Sequence, residues 1–439
     1  MTAWVGALVG RVRFTELQLL VVPSVMTVVG LLTIFLASTR DLNWDWRDIW
    51  VSLAFMVAVF GISLWLSANQ FRGDQVIFPI VVALAGLGLL MIQRLAPDLT
   101  EADHAFRNLA RNQLIYLAIG LSLLLCVCTF VRQIGWLRRY KYTWALLGLA
   151  MMAVTMVIGT ELNGAKLWIE VGPFSIQPSE PAKVAMVVFL AAYLAENREL
   201  IVSNYRVGPF NLPPIPYLMP MVLMWAFSLL IVVLQNDLGT AMLFFGVFLA
   251  MLYLASGRLL YVVTGLACFG IGVYAALQLF PRITVRVSNW LDPWQDPLDA
   301  GYQGVQSEYA LATGQFFGTG LAQGNPTFIP EVHSDYVFSA IGEELGLLGA
   351  VVVLLLFLLL AFRGFFISLR ARDTFGQFLA VGLTTVFALQ SLIIVAGVVR
   401  LIPLTGITLP FISAGGSSLI TNFLMVGLLM RISDPDLAR

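Results

Sequence analysis

Three carboxylates, Asp296, Asp299 and Glu308, share the stretch WQDPLDAGYQGVQSEYALATG at 294–314, which holds no lysine or arginine. A carboxylate placed beside a hydroxyl can take its proton as a general base. Four other places offer polar chemistry. NGAKLWIEVGPFSIQPSEPAK ends in Glu180 and Lys183, whose i,i+3 spacing lets them pair on one helix face. Ser179 before them can act as an N-cap. LQNDLGTAM sets Asp237 and Thr240 between two apolar runs, and HSDYVFSAIGEELGLLG sets Asp335, Glu343 and Glu344 at the head of another. VVRLIPLTGITLPFISAGGSS places Arg400 beside a segment broken by Pro and Gly. Each place also has a structural reading. Glu180 and Lys183 form a neutralised pair that lets a helix start; Asp237 is an N-cap; Glu343 and Glu344 are interfacial carboxylates; the Pro/Gly segment is a packing hinge. Asp296-Pro297 reads as N-cap and N1, with Asp299 at N3. A short amphipathic helix then follows with Tyr302, Val305, Tyr309 and Ala312 on one stripe.

Much chemistry is excluded. The chain has two histidines, His104 and His333, so no metal-ligating histidine cluster forms. No G-x-S-x-G elbow and no P-loop occurs, which argues against a hydrolase triad and against ATP-driven transport. Formal net charge is zero, and nothing points to nucleic acid. Cys126, Cys128 and Cys268 lie in apolar runs and read as small core residues, not as a zinc site or a disulfide framework.

The elements that must position these residues are membrane helices. The chain is 59% hydrophobic and 11% charged over 439 residues, with mean hydropathy +0.88. Apolar runs of about 17–25 residues span a bilayer as helices. The fold class is all-α and polytopic, with about twelve spans, near 17–37, 50–67, 76–93, 113–131, 143–159, 179–195, 217–234, 237–256, 260–279, 338–362, 377–399 and 415–431. The first is too long for a signal-peptide core and reads as a span. With the N-terminus inside, about fifteen of the 25 basic residues fall in cytoplasmic segments, Arg138, Arg139 and Lys141 on one short loop. Both termini then lie inside, and 281–337 is the longest outer segment. Trp168, Trp290 and Trp294 suit the interface belt. A charge at membrane depth is costly and faces a cavity or a partner. Carboxylates toward the outer leaflet, a few cations and broken helices suit a lipid-linked anionic substrate, with a cation holding its diphosphate.

DPLDAGYQGVQSEYALATGQFFGTG, FIPEVHSDYVFSAIGEELGLLG and PLTGITLPFISAGGSS, with QNDLGTA and QPSEPAK before them, resemble in order the motifs of the SEDS (shape, elongation, division and sporulation) family, the RodA/FtsW type. The resemblance covers roughly residues 143–432. It implies a core of about ten spans, so the first two spans read as an appended pair within 1–112, ahead of a catalytic membrane core at 113–439. It implies a peptidoglycan glycosyltransferase that polymerises lipid II at the outer face of the bacterial cell membrane, in cell elongation, division or sporulation. It places the essential aspartate at Asp296 and makes Glu180 and Lys183 cavity residues. Lys166, Asp237, Gln306, Ser307, His333, Asp335, Glu343, Arg400 and Ser417 complete the substrate-facing set. The implied reaction is inverting, with undecaprenyl diphosphate leaving; Lys166, Lys183, Arg282, Arg286 and Arg400, or a divalent cation such as Mg2+ or Mn2+, are candidates to take its charge. No other cofactor is called for. The implied partner is a class B penicillin-binding protein. The chain departs from the family pattern at Asp299 (usually glycine), at Ala414 (often tyrosine), and at Ile394 and Arg400, where relatives carry an asparagine and no cation. Two readings compete: a lipid II flippase, which needs Glu180, Lys183 and Arg400 but not Asp296, and a non-catalytic scaffold for a transpeptidase, indifferent to Asp296.

Overall fold

The computed structural model describes residues 13–36, 47–162, 165–171, 174–202, 205–207, 210–212 and 215–435. All twelve apolar runs are helices: α1 (Phe14–Leu36), α2 (Arg47–Ala68), α3 (Ile77–Ala102), α4 (Leu109–Phe130), α6 (Lys141–Ile158), α7 (Ser179–Val202), α8 (Ile215–Leu234), α9 (Leu238–Ser256), α10 (Leu259–Leu279), α13 (Val337–Arg370), α14 (Thr374–Val398) and α15 (Gly416–Ile432). Shorter helices are α5 (Gly135–Arg139), α11 (Pro281–Leu291) and α12 (Tyr302–Gly314). Among the described residues nine helices are long and apolar enough to cross a membrane, and Leu53–Ala68 and Gly416–Ile432 are shorter apolar helices. The chain is a multi-pass membrane protein.

Two compact units form. The first holds the described residues of 1–133, 296–363 and 408–439; the second holds 134–295 and 364–407. Each is built round a buried helix. In the first unit α3 is buried on all sides from Ile77 to Ala96, which is why IFPIVVALAGLGLLMI shows no polar face. It packs on α1 and α4, and α4 runs along α15. In the second unit Ala182–Leu194 of α7 is buried, packed against α6, α14 and α9. Cys128 is buried, but Cys126 and Cys268 are exposed on their helices and so are not core residues.

The segment between α6 and α7 holds β-structure the apolar pattern does not announce. Strands β1 (Thr160–Leu162), β2 (Ala165–Val171) and β3 (Phe174–Ile176) form an antiparallel sheet in the order β1-β2-β3. Thr160 lies opposite Trp168 and Ile169 opposite Ile176. The readable signal was Asn163-Gly164 between β1 and β2, the dipeptide that two-residue hairpins favour. A second hairpin, β4 (Tyr205–Val207) with β5 (Phe210–Leu212), precedes α8.

Candidate functional site

Asp296 opens a turn on the first unit, and its side chain is exposed. It is not the expected N-cap. The turn runs through 297–301 and α12 starts at Tyr302, behind Gly301, with no side-chain cap. The main chain makes the turn instead: Gly301 N donates to Asp296 O at 2.9 Å and Tyr302 N to Asp299 O at 3.1 Å. The carboxylate receives one long hydrogen bond, from Ala300 N at 3.4 Å, among the described residues.

The expected stripe on α12 is also revised. Val305 is buried, but Tyr309 and Ala312 are exposed; the inward face is Val305, Ser307, Ala310 and Gly314. Small residues bring α12 close to α13. Ser307 Oγ lies 2.7 Å from Ser339 Oγ, and a Cβ on Gly314 would overlap the carbonyl of Gly342. Gln306, next to Ser307, is half-buried.

The loop between α12 and α13 meets the chain that leads into α15. Ala414 N donates to His333 O at 2.8 Å, and Ser413 Oγ donates to Ser334 O at 2.5 Å. The His333 ring packs edge-on to Phe106 with centroids 5.0 Å apart. Its Nε2 lies 3.8 Å from Glu331 Oε2, and its Nδ1 is buried with no hydrogen-bond partner among the described residues. Burial holds the imidazole below its ordinary pKa, against the opposing pull of Glu331, so the ring is neutral at pH 7. Asp335 and Ser417 are half-buried, on the same two segments.

Glu343 and Glu344 turn inward and hold the loop rather than face it. Glu344 Oε1 accepts from Arg94 Nε at 2.9 Å and its Oε2 from Ala322 N at 3.0 Å. Glu343 Oε1 accepts from Asn325 N at 2.7 Å. Arg94 also donates to Asp98 at 2.8 Å and to Gly324 O at 3.1 Å. Just beyond, Gly346 breaks α13 at φ 68°. The carbonyls freed there are taken by the loop: Thr319 N donates to Glu343 O at 2.9 Å and Gly320 N to Glu344 O at 3.0 Å.

The second unit carries the other candidates. Glu180 and Lys183 sit on the first turns of α7, both buried, with Lys183 Nζ 2.6 Å from Glu180 Oε2. The contact is ionic rather than a directed hydrogen bond. Lys183 also donates to Gln390 Oε1 of α14 at 2.9 Å. Ser179 makes no cap: its hydroxyl is buried with no hydrogen-bond partner among the described residues. Asp237 does cap α9, accepting from Thr240 N at 3.0 Å and Thr240 Oγ1 at 2.6 Å. Arg286 and Glu180 both act on it electrostatically. Arg400, with φ 57°, closes the end of α11: its Nη2 donates to Trp290 O at 2.9 Å, while Trp290 Nε1 donates to Arg400 O at 2.9 Å. Arg286 is exposed and donates to Thr405 O at 3.4 Å; Lys166 is exposed on β2. The side chain of Arg282 lies outside the described residues.

A family model described as "Cell cycle protein", for FtsW, RodA and SpoVE, matches residues 74–436. The chain belongs to the SEDS family. It is 39% identical over 428 residues to the peptidoglycan glycosyltransferase RodA of Mycobacterium tuberculosis (strain ATCC 25618 / H37Rv), covering 96% of this chain and 90% of that one. It is 35% identical over 378 residues to the stage V sporulation protein E of Bacillus subtilis (strain 168), covering 84% of this chain and 99% of that one. Among solved structures, one on the structural coordination of polymerization and crosslinking by a peptidoglycan synthase complex aligns with TM-score 0.65 at 26% identity, covering 82% of this chain and 97% of that one. RodA of Thermus thermophilus shares the fold, with TM-score 0.59 at 24% identity over 82% of this chain and 97% of that one.

Within this SEDS chain, sequence reasoning missed the groups that complete each cluster. Arg94, on the far side of the sequence from Glu344, and Gln390, inside the apolar run of α14, are both buried. A lone Arg or Gln at membrane depth was the available signal. Missed too was Arg13, buried with Glu16 at 2.5 Å and donating to the carbonyls of Phe71, Gly73 and Asp74. That clamp ties α1 to the chain entering α3.

Proposed function

We propose that Asp296 is the general base of this peptidoglycan glycosyltransferase and that its substrate is lipid II. The carboxylate takes the proton of the acceptor sugar's 4-hydroxyl. The oxygen attacks the anomeric carbon of the lipid-linked donor with inversion, and undecaprenyl diphosphate leaves with the bonding pair. A diphosphate is a good leaving group, so no general acid is needed, and a cation stabilises its developing charge.

One observation favours Asp296 over the buried carboxylates: their commitment to other partners. Asp237 spends both oxygens on Thr240, Glu344 spends both on Arg94 and Ala322, and Glu180 is held by Lys183. Among the described residues Asp296 accepts one side-chain hydrogen bond, at 3.4 Å. The same reasoning sorts the cations. Lys183 serves Glu180 and Gln390, and Arg400 serves the end of α11, whereas Arg286 and Lys166 are exposed. Among the described residues no three His, Cys, Asp or Glu side chains converge to hold a metal ion. A divalent cation would therefore draw its ligands mainly from the diphosphate and water, and no step is assigned to it.

The excess of basic residues between alternate spans supports cytoplasmic termini, and with them Asp296 on the outer face of the cell membrane. A class B penicillin-binding protein is the partner this reading implies, supported by the likeness to a chain of a peptidoglycan synthase complex. A vesicle assay separates polymerase from flippase. Protein reconstituted with lipid II on one leaflet, partner present, is expected to yield glycan polymer without moving lipid II across. Translocation that survives Asp296→Asn and is lost in Glu180→Gln, with no polymer from wild type, would replace the polymerase reading by the transporter.

A further inference from the structure

Helix α12 ends in the sequence Gly314-Gln315-Phe316-Phe317-Gly318. This turn is fixed through its backbone. Gly318 N donates to Gly314 O at 2.8 Å, Leu347 N to Gln315 O at 2.9 Å, and Leu348 N to Phe316 O at 3.2 Å. The last two donors are amides of α13 left open by the break at Gly346. The turn thus completes the helix, and its two rings are turned away from the protein. Phe316 is 53% exposed and Phe317 78% exposed, and the rings stack edge-to-face with centroids 4.9 Å apart.

What covers them is set by the neighbouring surface. Leu347 and Leu348, bonded to the turn, are exposed, and so are Val351, Val352, Leu355, Leu358 and Leu359 further along α13. From Leu345 to Phe362 that helix carries no charge, and it is among the helices able to cross a membrane. Its exposed leucines and valines face acyl chains. The backbone bonds hold the Phe pair at the depth where this face begins. The chain from Tyr309 to Pro330 is also uncharged, so the turn offers a protein partner no charge to match. Tyr309, Ala312 and Thr313, all exposed, lead along α12 to Phe316 at helical spacing.

We infer that the Phe316–Phe317 turn is a membrane anchor, its rings inserted among the acyl chains of the leaflet that borders the outer segment. It tethers the far end of the helix whose start follows Asp296. Aromatic side chains next to a lipid-facing span are suited to that depth.

The test uses the full chain in phospholipid nanodiscs, with Cys126, Cys128 and Cys268 replaced by alanine. A spin label on Phe317→Cys is compared with one on Gln323→Cys, which is exposed on the same loop. Collisional relaxation by oxygen is expected to exceed that by a water-soluble nickel chelate severalfold at 317, with the order reversed at 323. Equal nickel access at both positions would overturn the anchor. Nickel access at 317 that vanishes only when a penicillin-binding protein is added would overturn it in favour of a protein-docking surface. If the labelled variant is unstable, Phe317→Trp in acyl-brominated lipids gives an independent reading. Quenching beyond that of wild type supports insertion, and no difference contradicts it.

Discussion

The acidic residues of this chain divide by what already holds them. Burial makes an unpaired carboxylate expensive, so inside the units each is neutralised or capped by a neighbour. Asp296, on an exposed turn, needs no such partner and remains available to substrate. His333 shows the opposite case, a polar ring buried with one nitrogen unsatisfied. Its depressed pKa fixes the sign of a pH effect. The unfolded chain binds the proton better than the fold does, so the stability of the neutral ring is complete above the unfolded value of about 6.5 and is lost as pH falls through that range. We expect the unfolding midpoint in detergent to drop on acidification from pH 7 to 5, with this group lowering the unfolding free energy by no more than about 1.4 kcal/mol per pH unit. His333→Gln should flatten that part of the profile; an unchanged slope would show that the ring is not the responsible group.

Among the elements, the loop between α12 and α13 is held by the break in α13. Glu343, Glu344 and Arg94 bind its backbone, and the amides and carbonyls around Gly346 bind the rest. Breaking a buried pair strands a charge and costs about 3–5 kcal/mol, whereas a half-exposed pair contributes about 1 kcal/mol or less. Glu344→Ala should therefore lower thermal stability strongly, and Glu196→Ala, which loses the half-exposed contacts to Arg138 and Lys141, should lower it little. Equal effects on the two unfolding midpoints would contradict this division. Gly346→Ala belongs with the severe class, since φ 68° with ψ −170° suits only glycine and a Cβ there would collide with the amide of Gly318. Here the sequence was only partly legible. Apolar runs located all twelve long helices, because length and hydropathy are local properties. The cap at Asp237 was legible for the same reason. The cap at Asp296 was misread because the turn to Gly301 satisfies itself through the main chain, and the pairing of Arg94 with Glu344 crosses 250 residues. The β-strands between α6 and α7 carry no apolar run, and the dipeptide Asn163-Gly164 is the local hairpin signal in the sequence.

At the scale of the whole molecule, the family match begins at residue 74, after α1 and α2. Arg13 nevertheless fixes this pair by three carbonyls of the connection at 71–74, so α1 and α2 are an integral part of their unit. Removing the guanidinium leaves Glu16 buried and those carbonyls without a donor. Arg13→Ala is expected to cost roughly 3–5 kcal/mol, seen as a lower unfolding midpoint and faster proteolysis in the 71–74 connection. Resistance equal to wild type would show that the pair docks without this clamp. The polytopic class and the SEDS motifs were legible because composition and motif order survive without coordinates. The division into two units was not, since each gathers segments far apart in sequence.

If Asp296 takes the proton in glycan polymerisation, replacing its carboxylate by an amide slows polymer formation. The direct measurement is the rate of polymer formation from purified lipid II, with products resolved by length on a gel. Wild type, Asp296→Asn and Asp299→Asn would each be assayed with a cognate penicillin-binding protein whose transpeptidase is blocked. General-base catalysis contributes about 10²–10⁴-fold, so Asp296→Asn should lose at least about a hundredfold with its unfolding midpoint intact, while Asp299→Asn keeps most of the activity. Long glycan made at a near-normal rate by Asp296→Asn would contradict the assignment.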